Sequence, residues 1–354
     1  MSIRSILAKL PKYPKLLVIG NESMDIDSFA SSVLFSLYST TSTTPATPFI
    51  NIPRADLALR PEIALIMKQL DIPVDNMLFA DDRTDLSAMK WILVDHNQLT
   101  GPLAAYNGNI VGIIDHHVIE NEAITKMQLD PYLIDQSGSC CSLVTKYISK
   151  AIDAHMDPSA QQQLAQLALA PIIIDTSNLQ NRVTHYDTEA FEYWTAKLQG
   201  FDAASWYAVL HTEKANVSGF TTAELLRRDY KQWTSESGLK LGFSSSVKSL
   251  QWLHEHAKSQ NQDFDTEWKK YAAEKNLDLS FILCSYQKDV QCRQLCLYIR
   301  TTTGSEDTNK FVAALKKEFN LEPWIDSDQP NIYKWNQRSP ANRKAIAPFV
   351  RTSL

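Results

Sequence analysis

From residue 15 onward, short apolar runs recur between segments of helical spacing, and that alternation limits the chain to few folds. The runs are "KLLVIG" (15–20), "TPFINI" (47–52), "NMLFA" (76–80), "KWILVD" (90–95), "NIVGIID" (109–115) and "LAPIIID" (169–175). Between them, "DSFASSVLFSLYS", "LRPEIALIMKQL" and "SCCSLVTKYISKAI" place apolar residues at helical spacing. Further helices are expected at about 158–170 and 187–199. Continuously apolar strands are buried on both faces, as in a parallel sheet covered by helices. The spacing therefore predicts an α/β domain built on a parallel sheet.

Four of these runs lead directly into acids. The first is followed by Asp25 and Asp27, "WILVDHN" gives Asp95 and His96, "VGIIDHH" gives Asp115, His116 and His117, and "PIIIDT" gives Asp175. Ligands of open α/β sheets bind outside the carboxyl ends of the strands, so these groups are expected to converge in one crevice. Ionised carboxylates crowd together only around a positive counter-charge. Divalent cations supply it, and oxygen donors with one or two imidazoles favour Mg²⁺ or Mn²⁺ over zinc. Two such ions roughly 3.5–4 Å apart bind a phosphate oxygen and the attacking water together.

The pattern loosens over 200–225, where a linker is expected between a first domain of 1–199 and a second of 226–354. The second part repeats the α/β theme. It has strands near "LKLGFSSSV", "LDLSFILCSYQ" and "QLCLYIRT", and helices near "FDTEWKKYAAEKN" and "DTNKFVAALKKEF". Charge divides along the same line. Residues 1–225 hold 15 Lys and Arg against 25 Asp and Glu, while 226–354 hold 20 against 15. An acidic, metal-holding part followed by a basic, anion-holding part fits that asymmetry.

Composition excludes several classes. The 354 residues are 44% hydrophobic and 21% charged, an ordinary globular balance. No stretch approaches the ~20 apolar residues of a membrane span. The start has only a short apolar segment before its lysines and prolines, so a cytoplasmic location is expected, with a mitochondrial one as the alternative. Five cysteines without a Cys-x-x-Cys pair read as reduced thiols and not as a zinc site.

The motifs "GNESMDIDS", "LVDHN", "IIDHH" and "IIIDTSNL", in this order, resemble the DHH phosphoesterase family across nearly the whole chain. The later part, with "LLRRDYKQW" (225–233) and "ANRKAIAP" (341–348), resembles the second type of C-terminal domain in that family. That type is shared by manganese-dependent inorganic pyrophosphatases, cytosolic exopolyphosphatases and prune-like proteins. The resemblance implies a parallel-sheet DHH domain, a smaller C-terminal α/β domain and an active site in the cleft between them. It also implies two divalent cations per site. Asp25 and Asp27 match aspartates that bind different metals, Asp95 one that bridges both, and His116 and Asp175 ligands of the second. His117 matches a histidine that contacts the substrate phosphate and protonates the leaving oxygen. Lys231, Arg343 and Lys344 match residues that grip phosphate, and their chemistry suits it, Arg as a bidentate fork and Lys as a point charge.

Asn21 stands where the family's pyrophosphatases carry histidine, and its contact with metal is left open by the sequence. An amide oxygen is a harder, weaker ligand than imidazole and tolerates Mg²⁺ better. In its "GNES-D-DS" setting, Asn21 resembles exopolyphosphatases and prune-like proteins. The expected activity is therefore hydrolysis of the terminal phosphate of linear inorganic polyphosphate. The alternatives are an inorganic pyrophosphatase, a prune-like phosphodiesterase or short-chain polyphosphatase, and a weakly catalytic interaction protein. No nucleic-acid partner is expected, because the Gly-rich motif of the exonuclease branches is missing from the second part. A monomer without membrane contact is the expected state.

Overall fold

Leu16–Ile19 (β1) is preceded by a short helix, Ile3–Leu7 (α1), and starts the first sheet of the computed structural model, which describes residues 2–11, 14–82, 85–119, 122–300, 305–324 and 330–354. The chain forms two compact units, Met1–Lys214 and Ala215–Leu354. In the first unit Ile26–Ser39 (α2), Thr47–Ile50 (β2), Pro61–Leu70 (α3), Leu78–Phe79 (β3), Lys90–Val94 (β4), Ile110–Asp115 (β5) and Tyr132–Ile134 (β6) follow. Four helices complete it: Cys140–His155 (α4), Pro158–Asp175 (α5), His185–Thr195 (α6) and Ala203–Lys214 (α7). The strands pair in parallel in the order β3-β2-β1-β4-β5-β6.

Both faces of this sheet are buried, which is why its strands read as unbroken apolar runs. Val18, Ile50, Ile92, Val94 and Ile114 face one core with α2, α4 and α5. Leu17, Ile19, Phe49, Trp91, Leu93 and Ile113 point the other way into a second core, completed by residues of short 3₁₀ turns.

Two expectations require correction. "LAPIIID" is not a strand but the last two turns of the 18-residue helix α5. This helix lies among α2, α4, α6 and α7, and Leu167 to Ile174 are all buried. A helix buried on every side loses the 3.6-residue alternation, and Pro171 followed by three isoleucines imitates a strand. The presumed linker at 200–225 also holds structure: all of α7 and the start of the next helix. Helix α7 packs on α3 and α5 with Leu210 buried, so its one-sided, weakly apolar sequence reads as irregular.

In the second unit, Thr222–Arg228 (α8), Tyr230–Thr234 (β7), Lys240–Ser246 (β8), Leu250–Ser259 (α9) and Phe264–Glu274 (α10) come first. Leu279–Gln287 (β9), Gln291–Ile299 (β10), Ser305–Glu318 (α11), Leu321–Pro323 (β11), Ile332–Gln337 (β12) and Arg343–Ser353 (α12) follow. The sheet order is β11-β12-β10-β9-β8-β7, with only β8–β9 parallel among its described pairs. Phe281, Leu283, Leu295 and Leu297 face α11 and α12, while Ile282, Cys284 and Cys296 face α9 and α10. All five cysteines are free thiols, as expected. Among the described residues, no helix is long and apolar enough to cross a membrane.

The α10 side carries a buried ion pair. Lys334 Nζ donates to Asp265 Oδ2 at 2.6 Å and lies 3.2 Å from His254 Nε2. Burial and then the Lys334 charge push the His254 pKa down, so the imidazole accepts as a neutral ring. Asp265→Ala leaves Lys334 buried without its carboxylate and is expected to destabilise the protein by about 3–5 kcal/mol. Urea unfolding measures the loss, and adding Lys334→Met should restore most of it. An unchanged midpoint for Asp265→Ala would show that the pair contributes nothing.

Candidate metal centre

The strand order reverses between β1 and β4, the switch point at which open parallel sheets bind ligands. The loop after β1 is drawn tightly against α2. A Cβ on Gly20 would lie 2.6 Å from the Ser28 Cβ, so glycine permits the approach. Asn21 N–H donates to Ser28 Oγ at 3.0 Å, and half-buried Asp25 caps α2 by accepting from Ser28 N–H at 3.0 Å. Asp27 follows in the first turn.

Asp95 stands immediately after β4 in the left-handed region (φ 62°), which aspartate tolerates better than most residues. Its N–H donates to the Ile114 carbonyl at 3.1 Å. Asn21 Nδ2 and Ser28 Oγ donate to its Oδ2 at 2.6 and 2.7 Å. The Asn21 oxygen is itself taken, accepting from the Ser23 backbone at 2.9 Å and the Ser23 hydroxyl at 2.7 Å. Asn21 therefore acts here as a donor that orients Asp95, and Asp95 turns Oδ1 toward the histidines.

Those histidines follow β5, and each ring has a fixed orientation. His116 Nδ1–H donates to the Ser137 carbonyl at 3.0 Å, leaving Nε2 facing Asp95 Oδ1 at 3.2 Å. A backbone acceptor on the far nitrogen is the usual means of aiming a metal-binding imidazole. His117 Nδ1–H donates to Asp115 Oδ1 at 2.7 Å. Asp115 also accepts from His116 N–H at 2.8 Å and from Asn97 Nδ2 at 2.7 Å. Burial pushes the Asp115 pKa up, but the charge and hydrogen bond of His117 outweigh it and hold the carboxyl below its ordinary value.

Asp27 reaches across to the start of α4. It accepts from Cys140 N–H at 2.7 Å, Cys141 N–H at 2.9 Å and Ser139 Oγ at 2.8 Å. The turn before α4 is fixed from its other side by fully buried Asp187, which accepts from Gly138 N–H at 2.8 Å and Ser142 Oγ at 2.7 Å. Asp175 ends α5, not a strand, and comes to the site on a helix. Burial raises its pKa to about 6, with Asp25 and Asp95 adding to the rise and Lys214 and Arg182 opposing it. Asp27 is raised well above its ordinary value by burial and then by Asp95, Asp175 and Asp25.

Asp25, Asp27, Asp95 and Asp175 thus lie close enough to act on one another electrostatically, the crowding that a cation relieves. Asp95, His116 and His117 offer donor atoms within 4.8 Å of one another. Carboxylate oxygen together with an aimed imidazole nitrogen fits a divalent cation of the Mg²⁺ or Mn²⁺ kind. In the second unit, Lys231 lies on β7, and Arg343 and Lys344 open α12. Arg343 Nη2 donates to Asp229 Oδ1 at 2.8 Å, two residues before Lys231. Sequence reasoning left Ser28, Asn97, Asp115, Ser139 and Asp187 without roles. Only Asp115 gave a signal, as the acid two residues before His117.

The chain belongs to the DHH family: residues 15–172 match the DHH family N-terminal domain, and residues 208–353 match the DHHA2 domain. Among its relatives is a Schizosaccharomyces pombe protein provisionally named an exopolyphosphatase, 35% identical over 95% of this chain and 90% of that protein. The human exopolyphosphatase PRUNE1 is 29% identical over 96% of this chain and 76% of that protein. In fold, the chain is similar to a Methanococcus jannaschii protein provisionally assigned as a family II inorganic pyrophosphatase. The TM-score is 0.64 at 18% identity, covering 95% of this chain and 98% of that one.

Asn21→Ala removes the donor that aims Asp95 and should weaken Mn²⁺ binding by about 10–100-fold, as loss of outer-shell partners typically does. Calorimetric titration of the apoprotein reads this directly. Unchanged affinity would assign Asn21 no part in holding the site.

Proposed function

We propose that the protein is an exopolyphosphatase that removes orthophosphate from the end of linear inorganic polyphosphate. The observation that carries the reading is the arrangement around Asp95 Oδ1, with one imidazole aimed at it and a second tied to Asp115. The relationship to proteins named exopolyphosphatases over almost the whole chain supports the substrate. So does Asn21, which stands where the family's pyrophosphatases carry histidine.

Asp25, Asp27, Asp95, His116 and Asp175 are proposed to hold two divalent cations, with Mg²⁺ or Mn²⁺ suited to this donor set. Such ions, when bound, polarise a phosphate oxygen and acidify water. The remaining chemistry falls to the chain. Asp115 accepts from His117 Nδ1–H and fixes the ring, which leaves Nε2 as the nitrogen that delivers a proton to the leaving phosphate oxygen. Lys231, Arg343 and Lys344 are proposed to grip phosphate, with Arg343 held in place by Asp229. The protein is further proposed to be a cytoplasmic monomer acting without a nucleic-acid partner.

Phosphate release from pyrophosphate, tripolyphosphate and long polyphosphate, with Mg²⁺ or Mn²⁺, tests the reading. Long polyphosphate should be hydrolysed well and pyrophosphate poorly. The KM for the long chain should rise most steeply with salt, because a distributed polyanion releases counterions on binding. Pyrophosphate as the best substrate, with equal salt sensitivity throughout, would favour a pyrophosphatase instead.

His117→Asn should slow turnover by roughly 10²-fold or more, the usual loss for a general acid, while metal content stays unchanged. Loss of metal in that variant would place His117 among the ligands.

A further inference from the structure

Helix α5 ends at Asp175, and the chain then does something costly. Ser177, Asn178 and Leu179 are all left-handed (φ 50°, 55° and 60°), and Arg182 is left-handed too (φ 54°). None is glycine, and Leu179 has no short polar side chain to ease the conformation. The turn closes through Asn178 N–H to the Ile173 carbonyl at 2.6 Å and Asn181 N–H to the Thr176 carbonyl at 2.8 Å. Its result is to fold Arg182 back over the end of the helix.

Two contacts fix where Arg182 then lies. Arg182 Nη2 donates to the Asp175 carbonyl at 3.0 Å. The Arg182 backbone packs on Gly138, where an added Cβ would meet the Arg182 carbonyl at 2.8 Å. Gly138 follows Ser137, whose carbonyl orients His116. The Arg182 backbone thereby lies against the turn that aims His116, while its exposed side chain carries the guanidinium to the end of the helix that closes with Asp175. One of its nitrogens is engaged by that carbonyl, and the fork presents further N–H donors. The unit around it is acidic, with 15 Lys and Arg against 24 Asp and Glu over residues 1–214, and within it the Arg182 charge acts on the Asp175 carboxylate.

We propose that Arg182 is a substrate-binding residue, donating to a non-bridging oxygen of the phosphate seated against Asp175 and His116. The assignment rests on the polyphosphate reading for its substrate class, a condensed phosphate. It adds a contact from the first unit, which Lys231, Arg343 and Lys344 cannot supply. Lys214, at the end of α7, acts on the same carboxylate and adds positive charge there. A purely structural Arg182 would only cap the carbonyl end of α5.

The experiment compares wild type, Arg182→Gln and Arg182→Lys by three measurements. These are calorimetric binding of imidodiphosphate with Mg²⁺, KM and kcat for tripolyphosphate, and the thermal midpoint. Arg182→Gln should weaken imidodiphosphate binding and raise KM by about tenfold or more, as loss of a charge-assisted hydrogen bond does, with kcat little changed. Arg182→Lys should recover part of the affinity. Binding is measured well below every unfolding transition, so a shared loss of stability leaves the comparison intact. Unchanged affinity and KM in Arg182→Gln, whether or not the midpoint falls, would overturn the proposal and leave Arg182 a helix cap. Wild-type protein that binds imidodiphosphate through Arg182 yet hydrolyses no polyphosphate would reject the exopolyphosphatase reading while keeping this assignment. A wild type that neither binds imidodiphosphate nor hydrolyses tripolyphosphate would overturn both.

Discussion

The rest of the site depends on the carboxylate of Asp27 lying against the first turn of α4. Helix N-termini leave N–H groups without intrahelical partners, and a carboxylate there satisfies them while meeting the positive end of the helix dipole. Two backbone N–H groups and the Ser139 hydroxyl converge on Asp27. This one contact joins the first turn of α2, which follows β1, to the turn at the start of α4, which follows β6. Ser137, which orients His116, belongs to the same turn, and Asp187 clamps it from α6. The orientation of His116 after β5 is therefore tied, through this turn, to an acid that follows β1.

That frame holds groups that would otherwise move apart. The carboxylates of Asp27 and Asp175 are raised mainly by burial, with Asp25 and Asp95 adding to the rise in both. A fold keeps such a cluster only when packing elsewhere outweighs the repulsion, and the two cores of the first sheet supply that packing. Electrostatic discomfort at the centre and dense hydrocarbon around it belong to the same arrangement.

Strands β1, β2, β4 and β5 were legible because each is apolar on both faces and ends at a polar loop. Strand β6 was not, since three residues at a sheet edge leave no pattern. Helix α5 was misread for the opposite reason: it is so enclosed that no polar face marks its period. The acids and histidines of the site could be found from their motifs. The residues that hold them could not, because Ser139 and Asp27 meet across 112 positions, and Ser139 and Asp187 across 48. Asn21 shows the limit most clearly. Its type was noted, but its work as a donor to Asp95 depends on Ser23 occupying its oxygen. The helix over 203–214 was missed as well, because its contacts with α3 and α5 and not its own sequence make it regular.

The enclosure of α5 has a consequence for how the site breathes. Amides in a helix surrounded by α2, α4, α6 and α7 exchange with solvent only when the surrounding layer opens, near the free energy of unfolding the whole unit. Asp175 is carried by that slowly exchanging element, whereas Asp95 and His117 sit in loops at strand ends, where local opening is cheaper. The site is thus framed by one enclosed helix and by strand-end turns whose side chains are tied by hydrogen bonds, so a cation arriving from solvent meets donor atoms already oriented.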